Sequence, residues 1–309
     1  MNYIDLHVHS TASDGSYTPS ELVRYATEKG LIAFALTDHD TTAGIDEALN
    51  EADLINGSST NNVSINTSCK NNSSNNIVNE TSPANTTIRV IPGIELSAEY
   101  KGKDIHILGL NIDYRNKEFQ ERIEYFRNIR AERNIKMIEL LNKQGFKITE
   151  EQLKERFKDA VITRAHFAIM LVEYGYVKDK DIAFKKYLNP GCPCYVPRTR
   201  INVIDAISLI HLANGKAVLA HPLLYHLSEA ELDSLVALLK ENGLQGIEAI
   251  YSSNKWNDES RMKQLAKKYD LFITGGSDFH GLAKPTLDLG VGYGDLKVPE
   301  ELLSNILND

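Results

Sequence analysis

The sequence predicts an α/β protein: a barrel-sized domain of parallel strands and covering helices, interrupted by a helical insertion. Three observations carry this expectation. Short apolar β-runs alternate with helical patterns in the first and last parts of the chain, the arrangement that builds parallel sheets. Strand signals stop between about residues 116 and 188, where helical periodicity replaces them. Histidines and carboxylates gather where β-runs end, which is where catalytic groups sit in β/α barrels. A length of 309 residues suits one barrel-sized domain plus an insertion as well as it suits two domains.

The first element is the alternating run Asp5-Leu6-His7-Val8-His9. In a strand, residues two apart share a face, so His7 and His9 are expected side by side with Asp5 one step behind them. Two imidazoles at this spacing can close on one metal ion while a carboxylate supports them. Taken alone, a His-x-His pair reads more readily as the polar edge of a strand, and ligands from elsewhere must decide. Thr18-Pro19-Ser20-Glu21 starts a helix, with a threonine cap, proline in the first turn and a glutamate closing a capping box. Leu31 to Leu36 is wholly apolar, as in a strand buried on both faces, and leads into Thr37-Asp38-His39-Asp40 and a helix from about Thr42 to Ile55. Asp38 and Asp40 are equally candidates to orient His39 or to cap the turn.

Residues 56–87 are dominated by Asn, Ser and Thr without hydrophobic period, and are expected to form a disordered surface insertion. Its Asn-x-Ser/Thr triplets are read as composition. Ile88 to Ile91 then Pro92 to Ser97 restore order and carry Glu95, and the β-run Asp104 to Leu110 carries His106. Helices are expected near 123–140, 150–157, 164–174 and 179–188; Arg122, Arg127, Arg130 and Arg133, interleaved with glutamates, read mostly as a solvated face. The alternation returns with Ala217 to Ala220 ending in His221-Pro222, a capping box at Ser228 to Glu231, a strand Gly246 to Ile250, a helix Asp258 to Tyr269, and a strand Leu271 to Thr274 ending in Gly275-Gly276-Ser277-Asp278-Phe279-His280. The barrel is thus expected over 1–115 and 197–309 and the helical subdomain over 116–196.

Composition narrows the function. A net charge of −8 argues against a dedicated binder of duplex DNA, yet a site with divalent ions still admits phosphate, because the ions reverse the local field. No apolar run is long enough to cross a bilayer and no leader pattern precedes the first strand, so neither a membrane partner nor secretion is expected. Three cysteines, Cys69, Cys192 and Cys194, do not make a disulfide framework and suit a reducing cytoplasm; Cys192-Pro-Cys194 lacks the second pair of a zinc site. His211 and His226 complete no motif and are read as structural.

His7, His9, His39, Glu95, His221, Asp278 and His280 fall at strand ends on this reading, with His106 in a strand of its own. Imidazole and carboxylate without thiolate suit zinc, manganese or iron, and so many groups imply two or three divalent ions. Such a cluster can clamp phosphoryl oxygens and activate water.

His7-Val8-His9, Thr37-Asp38-His39, Gly93-Ile94-Glu95, Ala220-His221-Pro222 and Gly276-Ser277-Asp278-Phe279-His280 resemble, in order and spacing, the motifs of the PHP (polymerase and histidinol phosphatase) family. Thr163 to Phe167 and Lys186 to Gly191 resemble its stand-alone phosphoesterases, among them 3′,5′-nucleoside bisphosphate phosphatases, some of which also trim 5′-phosphorylated RNA. The resemblance implies a distorted, TIM-like (β/α)7 barrel with a trinuclear site. One ion is expected on His7, His9, Glu95 and Asp278, a second on Glu95, His106 and His221, and a third on Asp14, His39 and His280, these last three also being the expected catalytic groups. Arg164, His166 and Arg198 are the expected phosphate contacts, since arginine matches phosphate oxygens in a bidentate fork. No bridging-lysine candidate stands between His39 and His106, which tilts the reaction from amide to phosphoester hydrolysis. The expected substrate is a small phosphorylated nucleotide that loses its 3′-phosphate, with short 5′-phosphorylated RNA as a second substrate. Histidinol phosphate, or another small phosphoester, is the alternative within the family. A non-catalytic metal-binding accessory module is the alternative outside catalysis. Oligomeric state is not legible.

Overall fold

The computed structural model describes residues 2–61, 87–158, 160–197 and 201–307. Its strands are β1 (Ile4–Val8), β2 (Ala33–Leu36), β3 (Arg89–Tyr100), β4 (Lys103–Leu110), the two-residue β5 (Ile201–Asn202), β6 (Lys216–Leu219), β7 (Gly246–Tyr251) and β8 (Phe272–Gly276). They form one sheet in the order β1-β2-β3-β4-β6-β7-β8, with β5 beside β3. The ring draws together where Val8 bridges Phe279: the Asp278 N–H donates to the His7 carbonyl at 2.9 Å and the His9 N–H to the Phe279 carbonyl at 3.0 Å. Gly276 makes this approach feasible, because a Cβ there would lie 2.4 Å from the His7 Cβ.

The pairings β1-β2, β2-β3, β6-β7 and β7-β8 are parallel, as the alternation predicts. Strand β4 departs from the pattern, running antiparallel to both β3 and β6. The cause is local. Lys101 and Gly102 both take positive φ, making a tight turn from β3, and a parallel return would need a long crossover instead. Strand β3 also runs straight through Pro92 to Tyr100, so Glu95 lies within the strand and not after it.

Helix α1 (Pro19–Glu28) carries the expected capping box at Thr18 and Glu21. Helix α2 (Ile45–Asn61) continues past Ile55, so residues 56–61 of the segment expected to be disordered are helical; residues 62–86 lie outside the described residues. The flanks of that segment are tied together. The Asn56 side chain accepts the Ile88 N–H and donates to the Ile88 carbonyl, each at 3.0 Å. Helices α3 (Lys117–Lys143), α4 (Glu150–Arg156), α5 (Arg164–Glu173) and α6 (Lys180–Ala183), with a π-turn at Phe184–Leu188, make the helical insertion. Helices α7 (Val203–Leu212), α8 (Glu229–Glu241), α9 (Asp258–Lys268) and the short α10 (Ser304–Leu307) follow.

Among the described residues, three apolar clusters hold these layers. Ile4, Leu6, Ala33, Ala35, Ile91 and Leu108 fill the barrel, with Val298 and Ile306 of the C-terminal segment joining them. A larger layer, including Val8, Leu22, Phe34, Leu36 and Ile207, packs strands against helices. The insertion has its own core around Met137, Leu141, Phe167 and Leu171. Each fully buried Leu or Phe contributes about 1.5–3 kcal/mol of transfer free energy. Cys194 sits in this last core with its thiol pushed up to about 11 by burial, which suits packing and not metal binding.

Candidate metal centre

The site begins with an irregularity in β1. Asp5 pairs with Phe34 and Val8 with Leu36, three steps against two, so a bulge lies between them. Leu6 therefore points into the barrel, Val8 into the outer layer, and the bulge turns His7 inward alongside Leu6. This corrects the expectation that Asp5 shares the face of His7 and His9. Asp5 points away from them, its carboxylate accepting the backbone N–H groups of Ser277 and Gly290, both at 2.9 Å, and of His7 at 3.3 Å. It supports the backbone of the site. Burial raises its carboxyl to about 6.

Asp14 comes from the loop after β1, and Asp38 shapes that loop. The Asp38 carboxylate accepts the Ser10 N–H at 2.8 Å, the Ser10 hydroxyl at 2.6 Å and the Ser13 hydroxyl at 2.5 Å. A Cβ on Gly15 would fall 2.3 Å from the His9 carbonyl oxygen, so the loop can close this tightly only over glycine. His39 follows β2, Glu95 and His106 come from the β3-β4 hairpin, His221 follows β6, and Asp278 and His280 follow β8. His221 and Asp278 take positive φ of 23° and 59°, which turns both side chains as their strands end.

All nine expected ligands converge, and Glu95 is their centre. Its Oε2 lies 3.3 Å from His7 Nε2, 3.2 Å from His9 Nε2 and 3.0 Å from His39 Nδ1. Its Oε1 lies 2.7 Å from His106 Nδ1 and 2.9 Å from His221 Nε2. Asp278 Oδ1 stands 3.4 Å from His9 Nε2 and 3.3 Å from His280 Nδ1. Asp14 Oδ1 stands 3.2 Å from His280 Nε2 and 3.9 Å from His39 Nε2. His39 thus faces both Asp14 and Glu95, between the second and third expected ligand groups.

The donor set fits divalent cations. Among the described residues, His9, Asp14, His39 and His280 form one compact group, His7, His9 and Glu95 another, and His39, Glu95 and His106 a third, each with its ligand atoms within 4.8 Å of one another. His7 Nε2, both ring nitrogens of His9, Asp14 Oδ1 and His39 Nδ1 are buried without a hydrogen-bond partner, an arrangement costly for polar atoms unless something else binds them. Burial works to raise Glu95, but His39, His106 and His7 hold its carboxyl well below the usual range. Burial likewise opposes charge on Asp14, and His39 and His280 override it. Burial also opposes charge on His9 and His106, yet the carboxylates draw protons onto them, raising them to about 9 and about 10. The cluster calls for positive charge, and metal ions can supply it in place of those protons.

Beside Glu95 opens a cleft of about 190 Å³, lined by Asp14, His39, His106, Arg130, Arg133 and Arg164 among others. Arg164 lies on it as expected, 3.8 Å from Asp104 Oδ2 and over the Tyr195 ring at 5.8 Å. Two corrections apply here. Arg130 and Arg133, expected on a solvated face, are each only 6% exposed. They fall at helical spacing on the buried stripe of α3 that also holds Phe119, Ile123, Met137 and Leu141. That interruption of an apolar stripe by two arginines was the available signal. Arg130 pairs with Asp40, whose carboxylate also accepts the Ser97 N–H at 2.8 Å and hydroxyl at 3.0 Å, so Asp40 anchors the insertion to β3.

His166 is the second correction. It is 2% exposed, and its Nδ1 accepts the Thr163 N–H at 2.9 Å in the capping box of α5, so the ring supports the wall of the site and does not face the cleft. Arg198 lies outside the described residues. Sequence reasoning missed Glu248 and Tyr251 of β7. Glu248 lies 3.0 Å from His7 Nδ1, and the Tyr251 hydroxyl donates to Asp278 Oδ2 at 2.6 Å. A lone acid in the fully buried strand Gly246-Ile247-Glu248-Ala249-Ile250-Tyr251 was the sign.

The PHP domain model matches residues 5–273. The 5'-3' exoribonuclease Rnm of Escherichia coli (strain K12) is 34% identical over 286 residues, spanning 93% of this chain and 87% of that protein. The 3',5'-nucleoside bisphosphate phosphatase of Chromobacterium violaceum is 31% identical over 291 residues, spanning 94% of this chain and 91% of that protein. Among solved structures, an amidohydrolase from Chromobacterium violaceum, with bound sulfate and no metal, superposes with a TM-score of 0.79 at 31% identity, covering 99% of this chain and 97% of that one. A candidate metal-dependent phosphoesterase from Bifidobacterium adolescentis superposes with a TM-score of 0.78 at 28% identity, covering 99% and 96%.

Proposed function

The chain belongs to the PHP-domain family, and from that premise we propose that it removes the 3′-phosphate from 3′,5′-bisphosphonucleosides and also accepts short 5′-phosphorylated RNA. It is a metal-dependent phosphoesterase. The observation that carries the substrate reading is the pairing of two anion-binding regions. Five imidazoles surround the two oxygens of Glu95, and the cleft beside them carries Arg130, Arg133 and Arg164. A substrate with two phosphates can place one in each.

Two or three divalent ions, of manganese, zinc or iron, would be held by His7, His9, Glu95 and Asp278, by Glu95, His106 and His221, and by Asp14, His39 and His280. Such ions, when bound, neutralise phosphoryl oxygens and make water nucleophilic at neutral pH. The protein's own groups do the rest. Glu95 joins the ligand groups, so that its position sets their separation. Asp14 and His39 line the cleft, where they would face the reacting phosphate. Arg164, the most open of the three, would orient the second phosphate by paired N–H donors, and the buried Arg130 and Arg133 form the wall behind it. Segment 116–196 acts as a subdomain that supplies these arginines to the barrel, and a reducing cytoplasm suits its free Cys192 and Cys194. The test is a phosphate-release screen on metal-loaded protein. Release from bisphosphonucleosides well above that from histidinol phosphate supports the reading. Efficient turnover of histidinol phosphate alone overturns it.

A further inference from the structure

Strand β7 supplies none of the nine candidate ligands, yet it grips three of them. Glu248 is 1% exposed; its Oε1 lies 3.0 Å from His7 Nδ1 and its Oε2 accepts the His221 backbone N–H at 2.7 Å. Tyr251 holds Asp278. A one-residue shift in the pairing of β7 with β8, between Glu248 and Ile250, brings residues 248 and 251 to the same side. We infer that Glu248 is the positioning residue of the metal centre: it orients His7 with Nδ1–H toward β7 and a lone pair on Nε2 toward Glu95 and Asp278, while its other oxygen holds the turned backbone of His221.

The chemistry follows from the donor and acceptor inventory. A carboxylate only accepts, so the nitrogen of His7 facing it carries the hydrogen. The opposite nitrogen, Nε2, is then free to ligate; it lies 3.3 Å from Glu95 Oε2 and 3.7 Å from Asp278 Oδ1 and has no hydrogen-bond partner. His221 adopts φ 23° and ψ 58°, a sparsely populated conformation for a residue with a side chain, and the bond to Glu248 is made at that residue's own N–H. One carboxylate therefore orients a ligand from β1 and a ligand after β6, joining two of the expected metal positions. Partners of this kind typically govern metal affinity by about 10- to 100-fold.

The inference rests on the metal-centre reading, and the experiment separates the two. Glu248→Gln keeps the volume, and its amide oxygen can still accept the His221 N–H. Its NH2 would then meet His7 Nδ1, which favours the tautomer with the proton on Nε2, where a lone pair is needed. Zinc titration against a chromophoric chelator should show affinity for one ion reduced by about 10- to 100-fold. Glu248→Asp, which keeps a carboxylate, should recover part of the loss, and excess zinc should restore turnover in the Gln variant. Equal zinc affinity in wild type and Glu248→Gln overturns the inference and leaves the metal centre standing; failure of the wild type to take up zinc overturns both. Histidine 15N spectra of the zinc-loaded wild type give a check that needs no variant. His7 protonated on Nδ1 is expected, and protonation on Nε2 overturns the assignment.

Discussion

Arg130 of the helical insertion and Asp40 of the barrel form a buried ion pair next to His39 of the histidine and carboxylate cluster, with Ser97 bonded to the same carboxylate. Removing the guanidinium would leave a buried carboxylate without its paired positive charge. Arg130→Met is expected to destabilise the fold by about 3 kcal/mol, the scale of breaking a buried pair from one side. Denaturant unfolding measures it, and a loss below about 1 kcal/mol would show that the pair does not anchor the insertion.

Arg164 is more open than Arg130 and lines the cleft with a ring beneath it. Arg164→Ala should therefore raise KM for a bisphosphonucleoside by about tenfold, equivalent to roughly 1.4 kcal/mol, with little change in Tm. An unchanged KM would remove Arg164 from phosphate binding.

His9 and Asp278 face each other across 3.4 Å beside Glu95. His9→Ala and Asp278→Asn should each lower turnover by about a thousandfold or more, some 4 kcal/mol of transition-state stabilisation, while circular dichroism shows a retained fold. Near-normal turnover in either variant would contradict the ligand assignment.

His166 gives a prediction for pH. Burial pushes its imidazole down to about 4 from an ordinary 6.5. Between those values the unfolded chain binds a proton that the folded chain refuses. Stability therefore falls as pH drops through 6.5 toward 4, by up to about 3 kcal/mol from this group. Glutamine in its place can still accept the Thr163 N–H, because glutamine serves at this position of a capping box. Wild type should lose more stability than His166→Gln across that window in parallel unfolding series. Identical pH slopes would show that the ring titrates normally.

Much of the site was legible because its chemistry is carried by residues that are costly to bury. His7, His39, His221 and His280 stand at or just past strand ends, and imidazoles gathered at that position announce a shared site. The strand order was less legible. The two-residue turn at Lys101 and Gly102 that reverses β4 is a local event that alternation does not record. The bulge in β1 reversed the facing of Asp5, since one extra residue moves a side chain to the other side of a sheet. Arg130, Arg133 and His166 were misplaced because charge and motif were weighed without burial, whereas the stripe of α3 and the cap of α5 decide their surroundings. Glu248 was hidden by belonging to no motif; only the fold shows that its two oxygens meet His7 and His221, two different candidate ligands.

Metal removal tests the cluster as a source of stability. A site occupied at a hundred times its dissociation constant adds about 2.7 kcal/mol, so chelation should lower Tm by several degrees and re-addition of metal should restore it. A Tm indifferent to metal would mean that the buried donors of Glu95, His7 and His9 are satisfied without ions.

The most direct test of the central claim combines two readings on one sample: metal content of the purified protein, and inorganic phosphate released from a 3′,5′-bisphosphonucleoside. The account predicts two or three divalent ions per chain and release of the 3′-phosphate that disappears on chelation. A protein that binds no divalent metal, or that binds it and leaves every bisphosphonucleoside intact while hydrolysing another phosphoester, would contradict it.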